Sequence, residues 1–142
     1  MPLVSIITPS WNVEGLIEET IRSVQSQTFA DWELLIADDC STDRTPQIIA
    51  DIGEHDPRVK LIRQARNGGP ALARQAAIDR AQGRYLAFLD SDDLWLPGKL
   101  ERQLAFAREK QAALSYTAFR RYQLSRFDGT SWKPFGPVYS AD

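Results

Sequence analysis

Short apolar segments rich in β-branched residues alternate with stretches of helical periodicity along most of this chain of 142 residues. Such short runs are typical of buried strands, and apolar residues spaced three and four apart are typical of amphipathic helices. The predicted strands cover residues 3–8, 32–37, 59–63 and 84–89, and a fifth is expected at 113–119. Strands separated by helices form βαβ units, so the sequence predicts an α/β fold with a mostly parallel, doubly wound, Rossmann-like sheet.

The segments between the strands carry the signals by which helices begin and end. The first predicted helix follows Asn12, a plausible N-cap, and runs to residue 27. The second covers residues 45–52, the third begins at Pro70 and ends at Gly83, and the fourth covers 97–110. The tail, residues 126–142, has no clear period and is expected to be loop or short strand.

Composition excludes several classes of function. A formal net charge of −2 argues against nucleic-acid binding, which usually shows a basic patch. The single Cys40 excludes an intramolecular disulfide and a zinc site built from cysteines. The sequence contains neither a basic leader nor an apolar run long enough to be an integral membrane segment. We therefore expect the chain in the cytoplasm or at the cytoplasmic face of the membrane.

Polar residues follow each of the first four predicted strands. The strands run into TPSWN, DDCSTD, RQARNGGP and DSDDLW, in that order. Because the carboxyl ends of parallel strands meet at one edge of the sheet, where ligands of open α/β sheets bind, these residues are expected to share a site. Neither a Walker loop nor a G-x-G-x-x-G motif is present in the sequence.

The acidic group of Asp90, Asp92 and Asp93 is the strongest of these signals, because it directly follows an apolar strand. One carboxylate can cap the following turn, but capping does not account for all three. Hard divalent cations such as Mg²⁺ and Mn²⁺ bind carboxylate oxygens and keep positions open for phosphates. The pattern therefore favours a cation with a phosphorylated ligand over capping alone.

The other polar segments have simpler alternatives. DDCSTD can serve only to cap the next helix, although Asp38 and Asp39 precede the capping positions. NGGP can be a plain turn, or Gly69 can let an anion approach the helix that follows. Trp11 can belong to the core, or it can offer a stacking face beside a polar loop.

The motifs in series resemble those of a known family. VSIITPSWNVEGLIEETIRSVQSQTFADWELLIADDCSTDRT, followed by RNGGPALARQAAIDRAQGRYLAFLDSDDLWLPGKLERQ, resembles the donor-binding, N-terminal part of the inverting GT-A glycosyltransferases of family 2. The resemblance covers about residues 3–108. It implies a GT-A nucleotide-diphospho-sugar transferase fold, incomplete at the C-terminus. It also implies a nucleotide-sugar-binding α/β domain over residues 1–119, followed over 120–142 by the start of the acceptor-side region.

The resemblance also implies a set of site residues. In the family, residues at the positions of Pro9 and Trp11 line the base and ribose, and the carboxylate at Asp39 accepts a hydrogen bond from a uracil-type N–H. The implied donor-binding residues are Pro9, Trp11, Glu14, Asp38, Asp39, Gly69, Arg74, Asp90, Ser91 and Asp92. The implied metal ligands, for Mn²⁺ or Mg²⁺, come from Asp90, Asp92 and Asp93, in a DxD-type motif.

The implied reaction transfers a sugar from a nucleotide-diphosphate donor, with a UDP-sugar favoured, to a hydroxyl of a glycan or lipid-linked acceptor. Such reactions build cell walls and other polysaccharides. No catalytic base is assigned, since Asp128 and Asp142 are the only acids after Glu109 and match no family motif. A non-catalytic nucleotide-sugar-binding module is an alternative. A phospho-accepting receiver domain is another, although its acidic pair would follow the first strand, which here runs into TPSWN.

Overall fold

A computed structural model describes residues 1–124 and 132–139, with side chains through residue 121. The chain divides into two compact units, Met1–Glu101 and Arg102–Asp142. The elements of the first unit are β1 (Val4–Ser10), α1 (Ile17–Gln25), β2 (Trp32–Asp38), α2 (Thr45–His55), β3 (Val59–Arg63), α3 (Pro70–Ile78) and β4 (Tyr85–Phe88). Helix α4 (Lys99–Glu109) begins at its end, and the second unit also contains the antiparallel strands β5 (Phe119–Leu124) and β6 (Trp132–Tyr139).

The first unit is built on a parallel sheet of four strands in the order β3-β2-β1-β4. Crossovers between parallel strands are right-handed. The chain moves in one direction from β1 to β3 and then crosses back to β4, so α1 and α2 lie on one face of the sheet and α3 on the other. This arrangement confirms the predicted α/β fold with a mostly parallel sheet.

The two central strands are buried on both faces, which explains their nearly continuous apolar sequence. On the face that carries α3, the sheet contributes Ile7, Leu35, Ala37 and Ile62 to a core cluster, and α3 contributes Ala73 and Ala77. Alanine at both helix positions lets the α3 backbone lie close to the sheet. The helix is therefore held directly above β1 and β2, with its first residue at their carboxyl ends.

Helices α1 and α3 are shorter than predicted. Helix α1 begins at Ile17, and Asn12 is not its N-cap, because the side chain of Asn12 bonds to Thr42 of another loop. Helix α3 ends at Ile78, and Gly83 lies against β1, where its N–H donates to Ser5 Oγ at 2.8 Å. A Cβ at Gly83 would lie 2.5 Å from the Ser5 nitrogen, so glycine is needed there for close approach.

The predicted fifth strand at 113–119 is wrong, since β5 begins only at Phe119. The preceding segment exposes Leu114 and Tyr116 and is tied to α4 by a hydrogen bond from Gln103 Nε2 to the Ser115 carbonyl at 3.0 Å. Its apolar residues therefore do not mark a buried strand. In the tail, β6 confirms the short-strand alternative for residues 132–139. Residues 126–131 and 140–142, with Asp128 and Asp142, lie outside the described residues.

Two further expectations concern a membrane-spanning segment and the position of the domain boundary. Over residues 1–124 and 132–139, no helix is long and apolar enough to cross a bilayer. The domain boundary at residue 119 stays a prediction.

Candidate donor site at the carboxyl ends of the strands

The strand order predicts one position along the sheet edge at which a ligand would bind. The chain leaves β1 for β2 on one side and reaches β4 on the other, so the strand order reverses between β1 and β4. Open α/β sheets bind ligands at such a switch point, outside the carboxyl ends of the strands. We call the residues there the carboxyl rim: Trp11, Asp38 and Asp39, Asn67 to Gly69, Arg74, and Asp90 to Asp93.

Asp39 links the end of β2 to the start of α3. Its side chain is buried, with 3% of the residue exposed, and its two carboxylate oxygens accept from Gly68 N–H at 2.9 Å and Gly69 N–H at 2.7 Å. Asn67 Nδ2 donates to the Asp39 carbonyl at 2.9 Å. Gly69 has a φ of 84°, which favours glycine. A carboxylate at a helix N-terminus is also favoured by the helix dipole.

Arg74 connects α3 to the acidic segment after β4. Its Nη2 lies 2.5 Å from Asp90 Oδ1, and the two side chains are 34% and 51% exposed. The structure thus brings together two residues that the resemblance placed separately near the donor. The guanidinium offsets the charge of Asp90 but forms no ion pair with Asp92 or Asp93 within the part of the chain that the structure describes.

The remaining acids of this segment repel one another. Burial raises the pKa of Asp93, and the negative charges of Asp92 and Asp90 raise it further. The turn is held in place from both sides: Asp93 N–H donates to the Asp90 carbonyl at 3.1 Å, and Thr20 Oγ1 of α1 donates to the Ser91 carbonyl at 3.0 Å. Arg74 therefore pairs with Asp90, whereas Asp92 and Asp93 form no salt bridge with any side chain that the structure describes.

The donor atoms of this segment fit a hard divalent cation in chemistry. They are carboxylate oxygens, the ligands that Mg²⁺ and Mn²⁺ prefer. Among the described side chains, however, no group of three or more His, Cys, Asp or Glu converges to hold an ion. One or two carboxylates together with ligand phosphate oxygens would complete such a site, which is how Mg²⁺ is usually held.

Trp11 is exposed at the end of β1, with 56% of the residue accessible to solvent, so the alternative that places it in the core is wrong. Pro9, two residues earlier, is buried within β1. The exposed indole follows β1 and the buried carboxylate of Asp39 follows the neighbouring strand β2, so the rim offers one apolar face and one acceptor. That combination suits a planar heterocycle with an N–H group.

Glu14 and Asp38 already have partners inside the protein. Glu14 Oε2 accepts from Arg44 N–H at 2.9 Å, and the buried Asp38 accepts from the N–H and Oγ of Ser41 at 3.1 and 2.5 Å. Their contact with a donor stays a prediction.

Some residues that shape the site were not predicted from the sequence. They are Asn67 and Gly68, which are partners of Asp39, and Asn12, which links two loops. The one sequence signal at these positions was the asparagine–glycine pair at 67–68, which usually indicates a turn. In DDCSTD, Asp43 Oδ1 accepts from Thr45 N–H at 2.9 Å just before α2, but the N-cap of α2 is Arg44, which makes no side-chain capping bond.

Comparison with known sequences identifies relatives over nearly the whole chain. The family described as glycosyl transferase family 2 matches residues 5–136. TuaG of Bacillus subtilis, whose name assigns it to teichuronic acid biosynthesis, is 48% identical over 134 residues, which are 94% of this chain and 52% of TuaG. WfgD of Escherichia coli, named as a UDP-glucose:α-D-GlcNAc-diphosphoundecaprenol β-1,3-glucosyltransferase, is 44% identical over 80% of this chain and 44% of its own length.

Solved structures agree in fold. Staphylococcus aureus TarS (1–349) in complex with UDP is 34% identical, with a TM-score of 0.71 over 78% of this chain and 33% of TarS. The mannosyltransferase PcManGT of Pyrobaculum calidifontis, solved with GDP-Man and Mn²⁺, is 30% identical, with a TM-score of 0.67 over 82% of this chain and 34% of its own. This chain spans about half the length of TuaG and WfgD. It belongs to glycosyl transferase family 2 and has the GT-A type of α/β fold.

Proposed function

We propose that this chain forms the donor-binding part of a glycosyltransferase that moves a sugar from a nucleotide diphosphate to an acceptor hydroxyl, with inversion and with a divalent cation. One observation carries the proposal. Asp92 and Asp93, which form no salt bridge with any described side chain, follow β4 at the switch point of the sheet, on the same carboxyl rim as the buried carboxylate of Asp39 and the exposed indole of Trp11. Membership of a glycosyltransferase family supports it.

The acids after β4 hold the cation in this proposal. Asp92 and Asp93 are its candidate ligands, with Asp90 kept near them by Arg74. A bound Mn²⁺ or Mg²⁺ would act as a Lewis acid that stabilises the charge of the leaving diphosphate. Arg74, which is half-buried at the rim, offers a second positive charge to the same phosphates. PcManGT, whose structure includes Mn²⁺, supports the use of a cation.

Trp11 and Asp39 bind the base. The indole stacks on it, and the carboxylate of Asp39, anchored by two backbone N–H groups, accepts from a ring N–H. Uracil offers such a group, and the TarS complexes with UDP and UDP-GlcNAc support a UDP-sugar. Guanine also carries a ring N–H, and PcManGT was solved with GDP-Man, so guanosine diphosphate is the competitor to test.

The acceptor is proposed from the relatives alone. WfgD is named for a glycan on diphosphoundecaprenol and TuaG for a wall polysaccharide, which supports a glycan or lipid-linked acceptor. An acceptor of that kind would bring the protein to the cytoplasmic face of the membrane.

A non-catalytic nucleotide-sugar-binding module remains the second candidate. It shares every donor-binding residue with the first candidate and differs from it only in lacking sugar transfer. Detection of sugar transfer or donor hydrolysis, by this chain or a longer protein that contains it, would exclude that candidate. The receiver-domain alternative is wrong, because the chain belongs to a glycosyltransferase family.

Calorimetry with UDP tests the proposal. We expect binding in the presence of Mn²⁺ and a loss of about 100-fold in affinity with a chelator or in Asp92→Asn, because the diphosphate would then face uncompensated carboxylates. Asp79→Asn is the matched control, since Asp79 lies past the far end of α3 and its side chain bonds only to Gln75 among the described side chains. Equal affinity with and without the cation would contradict the metal role, and no UDP binding at all would contradict the function.

A further inference from the structure

The loops that follow β1 and β2 are joined by an interloop clamp, which comprises residues 12–14 and 41–45. Three consecutive backbone N–H groups of the first loop donate to side chains of the second. The pairs are Asn12 with Ser41 Oγ at 2.9 Å, Val13 with Thr45 Oγ1 at 2.9 Å, and Glu14 with Asp43 Oδ2 at 3.1 Å. Backbone groups that would otherwise need water are thus satisfied by the neighbouring loop.

The hydrogen bonds also run in the opposite direction. Thr42 N–H donates to Asn12 Oδ1 at 2.8 Å, and Arg44 N–H donates to Glu14 Oε2 at 2.9 Å. Each loop therefore supplies both backbone donors and side-chain acceptors to the other. The two loops cannot move apart without breaking bonds in both directions.

A buried carboxylate anchors the clamp to the sheet. Asp38, at the end of β2, is fully buried and accepts from the N–H and the Oγ of Ser41. Ser41 Oγ in turn accepts from Asn12 N–H. The chain of bonds from Asp38 through Ser41 to Asn12 links the end of β2 to the residue that follows Trp11.

The clamp lies next to both proposed base-binding residues. Asn12, directly after Trp11, has a φ of 50°, and Cys40, directly after Asp39, has a φ of 63°. Asparagine tolerates this left-handed region better than most residues, but the conformation is uncommon and needs surrounding contacts to hold it. The hydrogen bonds of the clamp supply those contacts at Asn12.

We propose that Asn12, Glu14 and Asp38 are positioning residues, which fix Trp11 relative to Asp39 before the nucleotide arrives and do not contact it themselves. This inference rests on the proposed function and differs from the roles that the family resemblance implies for Glu14 and Asp38. A loop that is ordered beforehand does not lose conformational freedom on binding, so the clamp raises affinity without a contact of its own.

Two variant pairs test the positioning role, with amide hydrogen exchange of the nucleotide-free protein and UDP–Mn²⁺ calorimetry as readouts. Asn12→Ala removes the acceptor for Thr42 N–H, and we expect about tenfold faster exchange there and a three- to tenfold weaker affinity for UDP. Asn12→Asp keeps an acceptor oxygen and should restore both. Glu14→Ala and Glu14→Gln form the second pair at an exposed position, with Arg44 N–H as the exchange probe.

The exchange measurement separates positioning from contact, because loss of a direct contact would not alter exchange in the free protein. Gln47→Ala removes an exposed hydrogen bond to Asp51 on α2 and should change neither readout. Unchanged exchange or unchanged UDP affinity in both alanine variants, with UDP binding intact in the unmodified chain, would overturn the positioning role alone. An unmodified chain that binds no UDP would overturn the proposed function and the positioning role with it.

Discussion

Acids whose pKa values are shifted from their ordinary values lie at both edges of the parallel sheet, but their surroundings differ. At the edge opposite the carboxyl rim, Glu33 accepts from Ser5 Oγ at 2.6 Å, Lys60 Nζ at 2.8 Å and Gln82 N–H at 2.8 Å. Burial alone would raise the pKa of Glu33, but the hydrogen bonds from Lys60, Ser5 and Gln82 outweigh it, so the pKa is lowered.

Asp56, which precedes β3, is a second acid whose pKa is lowered by its hydrogen bonds in spite of burial. Hydrogen bonds from Arg58 hold its pKa down to about 2, against a smaller opposing effect of burial and with help from Gln25. Arg58 also stacks on Trp32, with its guanidinium carbon 3.9 Å from the ring centroid. The acids at this edge are thus satisfied by the protein itself and serve to hold it together.

At the carboxyl rim, Asp93 has the opposite environment. Its pKa is raised by burial and by its acidic neighbours, and it forms no ion pair with any side chain among residues 1–121. The difference shows that a carboxylate with donors inside the protein keeps its charge readily, whereas one that lies among other acids does not. A raised carboxylate pKa without an internal partner is a feature that functional sites often show.

The largest expected effect is on stability, at Glu33. Glu33→Ala leaves Ser5 Oγ and Gln82 N–H without their buried acceptor, so we expect a loss of about 3 kcal/mol in the free energy of unfolding. Urea denaturation measures it. Lys60→Ala is the comparison variant and should cost less than Glu33→Ala, because the buried carboxylate keeps its donors Ser5 Oγ and Gln82 N–H. A loss at Glu33 no larger than at Lys60 would contradict the structural role.

The second effect is smaller and depends on pH. Because the folded pKa of Asp56, about 2, lies below its unfolded value, the stabilisation is present above about pH 4 and is lost as the pH falls from 4 to 2. Asp56→Asn should therefore cost about 1–2 kcal/mol at pH 7 and progressively less below pH 4. Urea denaturation series at several pH values measure the difference, and a cost that does not change with pH would contradict the ion pair.

The smallest expected change in stability is at Asp93, where removal of the charge should stabilise the protein. Because the folded pKa of Asp93 is raised, its ionised form opposes folding at neutral pH, and the penalty disappears as the pH falls below the unfolded pKa. Asp93→Asn should raise the melting temperature at pH 7 by about 1–2 °C.

The same substitution should weaken UDP–Mn²⁺ binding. Melting curves at pH 7 and at pH 3.5, together with calorimetry, check both parts of this prediction. A melting temperature that falls, with affinity unchanged, would place Asp93 among the structural acids of the opposite edge.

Much of the architecture follows from local sequence. Residues 59–63 formed the predicted strand without change, and the other three sheet strands differ from prediction by one or two residues at their ends. The acidic segment was placed at the end of a strand because an apolar run that stops at charged residues can be read locally. The prediction of a fifth strand at residues 113–119 was wrong because an apolar pattern does not show whether a partner strand lies beside it.

The sequence by itself determined the alternation of strands and helices, the edge of the sheet at which polar residues gather, and the family to which the chain belongs. Only the tertiary structure decided which acidic side chains have hydrogen-bond or ion-pair partners inside the protein. Glu14 and Asp38 bond to other parts of the chain, whereas Asp92 and Asp93 form no salt bridge within the described side chains. The reason is physical: hydrophobic periodicity is a property of neighbours in sequence, but neutralisation of a carboxylate depends on groups that folding brings from elsewhere in the chain.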